Sequence, residues 1–211
     1  MSILEEMSTF LQQGRAPKVK ELVAQALDEG ISPQEILEKG LLAGMNVIGE
    51  KFKNNEVFVP EVLISARAMN MGIEVLKPKL IAEGFEPKGT VVIGTVKGDL
   101  HDIGKNLVKM MMESKSLNVI DLGVDVAPEK FIEVAQENDA NIICCSALLT
   151  TTMGQMKAVV DLAKEKGMDC KIMIGGAPVT EAFCEQIGAD KYTPDAASAA
   201  DAAVELCRAA G

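Results

Sequence analysis

The change of hydrophobic period near residue 89 constrains the fold of this chain more than any other feature. From Thr90 onward, short apolar runs typical of buried strands alternate with longer amphipathic runs of helical period. The expected strands are 90–96, 118–122, 141–146, 171–174 and 190–192, and the expected helices are 105–114, 128–138, 152–167, 180–187 and 196–210. Such alternation requires a parallel sheet covered on both faces. It predicts a flavodoxin/Rossmann-like, doubly wound α/β domain with a five-stranded parallel sheet over residues 89–211.

The chain before this change carries only helical patterns. Apolar residues recur at helical spacing in four runs, which we expect to form helices over 3–13, 17–29, 32–52 and 60–80. Ser32-Pro-Gln-Glu35 has the sequence of a capping box, and Pro60 suits a first helical position. Four helices joined by short loops predict a bundle that forms a separate domain over residues 1–85, followed by a turn-rich linker.

Charge and cysteine content exclude several classes of partner and framework. The net charge is -10, with 21 Lys and Arg against 31 Asp and Glu. Because nucleic acids and anionic membranes bind clustered basic residues, we expect neither as a partner. The N-terminus lacks the pattern of a signal peptide, and no apolar run approaches the roughly 18 residues of a membrane span. Five cysteines with no C-x-x-C pair predict reduced thiols in a cytoplasmic protein.

The candidate site lies between the first strand and the first helix of the α/β domain, in Gly94-Thr-Val-Lys-Gly-Asp-Leu-His-Asp-Ile-Gly104. We expect its three glycines to lie in one loop, with His101, the only histidine, two residues after Asp99. Such loops line the ligand crevice of α/β sheets. The segment matches no P-loop, dinucleotide fingerprint or serine-hydrolase elbow, and the ligands for zinc are too few. From these residues alone, a structural histidine flanked by loop-capping aspartates remains an open alternative.

Two later motifs complete a three-part pattern. Gly104 is followed, after 41 intervening residues, by Ser146-Ala-Leu148, and Gly175-Gly176 follows after 26 more. Each motif lies at or just beyond the end of a predicted strand. In this order and spacing, D-x-H-x-x-G, S-x-L and G-G resemble the cobalamin-binding domain shared by methionine synthase, some mutases and the corrinoid proteins of methyltransferase systems. The resemblance covers about residues 89–211.

The resemblance implies a role for each motif residue. His101 would be the lower axial ligand of the corrinoid cobalt in place of the cofactor's own base, which is the base-off/His-on mode. Asp99 would accept a hydrogen bond from the other ring nitrogen, and Thr152 would extend this relay. The four glycines of the site would allow close backbone approach, and Ala196 would lie near the outer edge of the corrin. The remaining residues implied to bind the cofactor are Gly98, Leu100, Asp102, Ile103, Gly104, Ser146, Leu148, Thr150, Gly175, Gly176 and Ala177.

The helical region resembles the cap domain of methionine synthase over residues 45–69. The resemblance implies that this cap covers the upper face of the corrin and protects the bound methyl group. Phe52 and Val59 would be its two apolar capping residues, although Val59 is smaller than the aliphatic residue found there in methionine synthase. Ordinary packing within the bundle is the alternative for both residues.

A cap followed by a corrinoid domain is similar to the free-standing corrinoid proteins of methyltransferase systems. The resemblance implies a non-catalytic methyl carrier, which receives a methyl group on cobalt from a substrate:corrinoid methyltransferase. A methylcorrinoid:acceptor methyltransferase would pass the methyl group to a thiol or tetrahydrofolate, and a reductive activase would be a further partner. Methanol, methylamines, betaines and methoxylated aromatics all remain open as methyl donors.

Three other functions are alternatives to a methyl carrier. An adenosylcobalamin-dependent mutase small subunit would not need the cap. A B12-binding regulatory module would use Trp and a second histidine, and the chain has neither. A flavodoxin-like module with an incidental His101 would leave the three-part spacing unexplained.

Overall fold

Helices alone form the first of the two units into which the chain divides, between Glu86 and Pro87. The computed structural model describes residues 2–84 and 86–209, apart from the side chain of Ala209. The first unit contains the helices α1 (Ile3–Gln12), α2 (Ala16–Asp28) and α5 (Val59–Ala82). Between α2 and α5 runs one continuous helix, which consists of α3 (Pro33–Glu35), a π-helical segment (Ile36–Leu42) and α4 (Ala43–Lys53). These four helical runs confirm the predicted pattern.

The third helical run differs from the prediction in its middle, where residues Ile36–Leu42 wind as a π-helix. Segments of this kind interrupt α-helices and change which residues face a neighbour. Here Gly40 packs against α1 so closely that a Cβ on it would lie 2.6 Å from Met7 Sδ. Gly72 on α5 meets Leu41 in the same way. The helices of the bundle therefore pack closely at glycines as well as through large side chains.

The second unit alternates strand and helix throughout. Its elements are β1 (Thr90–Thr95), α6 (Ile103–Glu113), β2 (Asn118–Asp121), α7 (Pro128–Glu137), β3 (Ile142–Ser146), α8 (Gly154–Glu165), β4 (Lys171–Gly175), α9 (Glu181–Ile187), β5 (Lys191–Tyr192) and α10 (Ala196–Ala209). All strand pairs are parallel, in the order β2-β1-β3-β4-β5. The predicted doubly wound parallel sheet is confirmed.

The core of this unit is built on both faces of the sheet. Helices α7, α8 and α9 pack along one face, and α6 packs against α10. Strands β1 and β3 are buried almost throughout, and on one face Val92, Ile143 and Cys145 pack with Phe131 and Met156 in one cluster. Burial on two faces explains why these strands read as continuous apolar runs rather than as an alternating pattern.

Two of the three glycines expected in the loop after β1 lie in regular structure instead. Gly94 belongs to β1, and a Cβ on it would lie 2.8 Å from the ring of the buried Phe131. Gly104 is the second residue of α6, which begins two residues earlier than predicted. Only Gly98 lies in the loop between them. The prediction was wrong because glycine is not only a loop residue: packing against Phe131 requires it at position 94, and the first turn of α6 accommodates it at position 104.

The strand order positions the three motifs together. Strand β1 lies between β2 and β3, so the chain changes direction across the sheet at this point. Ligands of doubly wound folds bind beside such a switch point, at the carboxyl ends of the strands. The loops after β1, β3 and β4 meet at this edge, and these loops carry the motifs. Of the helices in residues 2–84 and 86–209, none combines the length and apolar character needed to cross a bilayer.

Candidate functional site

The site begins with a tight turn directly after β1. The Asp99 N–H donates to the Val96 carbonyl at 3.1 Å, and Gly98 adopts a φ of +82°. This geometry fits a type II turn, whose third position favours glycine because φ is positive there. The turn directs the Asp99 side chain into the protein and the His101 side chain outwards, with 0% and 51% of their surfaces exposed.

Asp99 is a buried carboxylate that accepts hydrogen bonds from two loops. Its Oδ1 accepts from His101 Nδ1 at 2.7 Å and from the His101 N–H at 3.1 Å. Its Oδ2 accepts from the Leu148 and Leu149 N–H groups at 2.8 and 3.1 Å and from the Thr152 hydroxyl at 2.9 Å. Burial alone would raise the pKa of Asp99, but these hydrogen bonds outweigh it and hold the pKa well below its usual range. Asp99 is therefore ionised at neutral pH.

The ionised carboxylate determines the tautomer of His101. Because Asp99 Oδ1 can only accept, the proton of the neutral imidazole lies on Nδ1, and Nε2 keeps its lone pair. No residue within 2–84 or 86–209 is hydrogen-bonded to Nε2. The same residues contain no group of three or more His, Cys, Asp or Glu side chains that could hold a bare metal ion. The site thus offers one nitrogen ligand, which fits a metal whose other positions are filled by its own macrocycle.

Exposed apolar side chains lie in the loops that meet at this edge of the sheet. Leu100 and Ile103 flank His101 and are 70% and 75% exposed. The loops after β2 and β3 add three more exposed apolar residues, Val124, Leu148 and Leu149. A cluster of large apolar side chains at one edge of the sheet marks a surface that is covered by a ligand or a partner. Leu149 and Val124 were not predicted from the sequence, because only the loop contacts place them here.

Backbone contacts join the three motifs into one structure. The Val96 N–H donates to the Ser146 carbonyl at 3.0 Å, and the Ala147 N–H donates to the Gly175 carbonyl at 3.2 Å. Gly176 has a φ of +133°, and a Cβ on it would overlap the Ala147 carbonyl oxygen. The requirement for glycine at 176 therefore comes from the protein's own backbone rather than from a ligand. Gly104 differs, because a Cβ there would meet no atom within 4 Å.

The other predicted site residues differ from one another in their burial and in the elements that carry them. Thr150 and Ala177 are exposed in the loops after β3 and β4, and Ser146 is half-buried at the end of β3. Asp102 is exposed at the N-cap position of α6, but its side chain makes no capping bond and accepts instead from Asn106 Nδ2 at 3.2 Å. Ala196 begins α10 and is almost fully buried, so its place at the edge of a cofactor stays a prediction.

Phe52 and Val59 belong to the first unit. Phe52 lies near the end of α4, Val59 begins α5, and both are half-buried. Phe58 precedes Val59 and is 62% exposed, although sequence reasoning did not select it. The capping roles of Phe52 and Val59 stay predictions.

Known proteins match both units. The B12 binding domain family matches residues 89–204, and a second family with the same description matches residues 3–77. The chain is 43% identical over 206 residues to dimethylamine corrinoid protein 3 of Methanosarcina acetivorans, covering 97% of this chain and 96% of that protein. It is 46% identical over 176 residues to trimethylamine corrinoid protein 1 of Methanosarcina mazei, covering 82% of each.

A solved structure extends this likeness to the fold. The crystal structure of the methanol:cobalamin methyltransferase complex of Methanosarcina barkeri contains a chain with a TM-score of 0.88 and 32% identity, which covers 98% of this chain and 80% of that one. The single exposed imidazole nitrogen and the three joined motifs agree with a corrinoid as the ligand. The chain therefore belongs to the B12-binding family, and it is a corrinoid protein of the kind found in methyltransferase systems.

Proposed function

We propose that this corrinoid protein carries a methyl group from a substrate-specific methyltransferase to a second methyltransferase that transfers it to a thiol or tetrahydrofolate. When bound, the corrinoid supplies the cobalt that takes up and releases the methyl group. The protein binds and orients that cofactor, and it is itself a carrier rather than a catalyst. We also propose a reductive activase as a partner and the cytoplasm as the location, where five free thiols suit a reducing compartment.

The observation that carries this proposal is the His101–Asp99–Thr152 chain of hydrogen bonds. His101 offers Nε2 to the cofactor from a surface lined by apolar side chains, in the base-off/His-on mode. Asp99 Oδ1 lies 2.7 Å from His101 Nδ1 and accepts its proton in a hydrogen bond, which fixes the ring orientation and leaves Nε2 free to act as a ligand. Thr152 and two backbone N–H groups keep Asp99 ionised.

The remaining motif residues would contact the cofactor around this point. Leu100 and Ile103 would lie against its lower face, where their exposed side chains lose contact with water. Gly104 leaves open space in front of α6. Ser146, Leu148, Thr150, Gly175 and Ala177 would border the slot for the displaced nucleotide tail. Phe52 and Val59 would shield the opposite face of the cofactor as part of the cap.

The first experiment is reconstitution with hydroxocobalamin, followed by desalting and a visible absorption spectrum. We expect the wild type to retain about one corrinoid per chain with a nitrogen-ligated spectrum. His101→Ala removes the ligand, and we expect retention to fall on the order of 10-fold or more, since even loss of groups behind a ligand costs 10–100-fold. Lys97→Ala is the matched control, because Lys97 is exposed in the same loop and outside the proposed site. A wild type that retains no corrinoid would refute the proposal.

The second experiment tests methyl transfer itself. The relatives named for dimethylamine and trimethylamine are 43% and 46% identical to this chain, against 32% for the methanol protein. Methylamine methyltransferases are therefore the first donors to test with the reduced, reconstituted protein. We expect label from a methylated amine to appear on the protein only when His101 is present. Retention of corrinoid without methylation by any donor system would favour a B12-binding regulatory module.

A further inference from the structure

The backbone that carries His101 is held by two side chains that do not touch the imidazole. The first is Thr95, the last residue of β1, which is fully buried. Its hydroxyl donates to the His101 carbonyl at 2.8 Å. A buried hydroxyl bonded to a loop carbonyl fixes that carbonyl strongly, because breaking the bond leaves the buried hydroxyl without a partner. Thr95 therefore ties the histidine's own peptide to the end of β1.

The second side chain is Asp125, in the loop between β2 and α7. Its Oδ1 accepts from the Gly98 N–H at 2.7 Å, and its own N–H donates to the Asp99 carbonyl at 3.0 Å. Asp125 has a φ of +54°, a conformation that residues other than glycine rarely adopt but that Asp and Asn tolerate. The strained backbone is what brings both of its groups to the turn at Gly98.

The loop that carries Asp125 is itself anchored. The Thr95 N–H donates to the Gly123 carbonyl at 2.9 Å, and the Val126 N–H donates to the Thr95 carbonyl at 3.0 Å. At the end of β2, Asp121 Oδ1 accepts from the Gly123 N–H at 2.9 Å and from Lys105 Nζ at 2.6 Å. Lys105 is buried, so this ion pair lies between α6 and β2 rather than in solvent.

An outside anchor matters because Asp99 and His101 belong to the same turn. Their mutual hydrogen bond fixes the ring relative to the turn but moves with it. Asp99 is tied to the loop after β3, whereas Gly98 and the His101 carbonyl are tied to the loop after β2 and to β1. A metal ligand needs its atom held to within about 0.5 Å, which requires that the backbone beneath it be fixed as well.

We propose that Thr95 and Asp125 are positioning residues for His101. They fix the peptides of residues 98–101 against the sheet, and so determine where Nε2 is presented to the cofactor. Neither residue contacts the imidazole. The inference rests on the proposed function in one respect, namely that His101 is the axial ligand.

The test for Thr95 compares three variants after reconstitution with hydroxocobalamin. Thr95→Val removes the hydroxyl at nearly constant volume, whereas Thr95→Ser keeps the hydroxyl. Ser114→Ala is the matched control, because the buried Ser114 hydroxyl donates to the Met111 carbonyl at 2.7 Å, far along α6 from the turn. We expect Thr95→Val to lower the ratio of histidine-ligated to unligated cobalt on the order of fivefold, the effect of one hydrogen bond. Thr95→Ser and Ser114→Ala should leave this ratio unchanged.

Ligation is measured by visible absorption and by nitrogen splitting in the electron paramagnetic resonance spectrum of the cobalt(II) state. Hydrogen exchange of peptides covering residues 98–103 in the cofactor-free protein is the second measurement, and we expect it to accelerate in Thr95→Val only. An unchanged ratio and unchanged exchange in Thr95→Val would overturn the inference. A wild type without nitrogen ligation would instead overturn the proposed function, so the two failures are distinguishable.

The test for Asp125 separates the hydrogen bond from the strain. Asp125→Gly accepts the positive φ without cost but removes the acceptor for the Gly98 N–H, whereas Asp125→Asn keeps an oxygen acceptor. Asp139→Gly is the control, since Asp139 has a φ of +46° in the turn between α7 and β3. We expect the ligated ratio to fall about threefold in Asp125→Gly and to stay near wild type in the other two. Equal ratios in Asp125→Gly and Asp139→Gly would contradict a positioning role.

Discussion

The turn that carries His101 and the segment that carries Phe52, Phe58 and Val59 differ in how they are specified. The turn is fixed by hydrogen bonds from the end of β1 and from the loops after β2 and β3, each with defined partners and distances. The segment between α4 and α5 presents apolar side chains that are half-buried or exposed. A hydrogen-bonded site can be assigned from geometry because every donor needs a partner. An apolar surface shows only that something covers it.

The largest effect is expected at Asp99. Asp99→Ala removes the acceptor of the Leu148 and Leu149 N–H groups and of the His101 ring, and it leaves the Thr152 hydroxyl with the Leu149 carbonyl as its acceptor. We expect the free energy of unfolding of the cofactor-free protein to fall by about 4 kcal/mol, since a buried charge with several donors is lost. Asp102→Ala is the control one residue beyond His101, and its exposed side chain should change stability by less than about 0.5 kcal/mol. Denaturant unfolding measures the free energy of unfolding of both variants. Similar losses of stability in Asp99→Ala and Asp102→Ala would show that the burial of Asp99 does not cause the effect.

A second comparison uses two motif glycines. Gly176→Ala forces a Cβ onto the Ala147 carbonyl at a positive φ, so we expect a loss of about 3 kcal/mol in unfolding free energy. Gly104→Ala adds a Cβ into open space near the start of α6, and we expect a gain of about 0.5 kcal/mol without cofactor. Corrinoid retention should then fall in Gly104→Ala despite its higher stability. Unchanged retention there would show that the cofactor does not approach Gly104.

A third prediction concerns pH and the ion pair beneath the Asp125 loop. Burial would raise the pKa of Asp121, but hydrogen bonds from Lys105 and Gly123 outweigh it and lower the pKa. A group with a depressed folded pKa adds stability above its unfolded pKa, near 3.9, and loses it as pH falls further. We expect Asp121→Asn to lose about 2 kcal/mol at neutral pH, because the buried Lys105 loses its anion. The difference from wild type should shrink below about pH 4, and a constant difference down to pH 2 would exclude the ion pair as its source.

The smallest effect is expected in the apolar segment. Phe58→Ala should change the free energy of unfolding by less than about 0.5 kcal/mol, because the ring is 62% exposed. Phe52→Ala should cost about 1 kcal/mol, because that side chain is partly buried. If the cap shields the cofactor, Phe52→Ala should also shorten the lifetime of the protein-bound methyl group in air, measured by its visible spectrum. An unchanged lifetime would leave Phe52 as a packing residue.

Much of the fold and the core of the site could be predicted from the sequence. Apolar periodicity placed the helices and strands, because both faces of the sheet and one face of each bundle helix are buried. The motif spacing selected Asp99, His101 and Thr152, which the structure joins by hydrogen bonds.

The rest depends on contacts that no local pattern contains. Asp125 and Leu149 come to the turn only through the pairing of β1 with its two neighbours. Gly94 and Gly176 read as loop glycines, although Phe131 and Ala147 set their requirement. The π-helical segment follows from packing between helices, which propensity does not describe.

The donors to Asp99 Oδ2 lie 49 to 53 residues away along the chain, beyond two complete strands and two helices. During synthesis, the chain therefore contains His101 before it contains the other residues of the site. The Asp99 carboxylate that holds the imidazole is itself held through Oδ2 only when β3 has docked beside β1. We thus expect the cofactor to bind after the sheet has folded rather than to guide its folding. A molecule that holds the cofactor should therefore have a completed sheet.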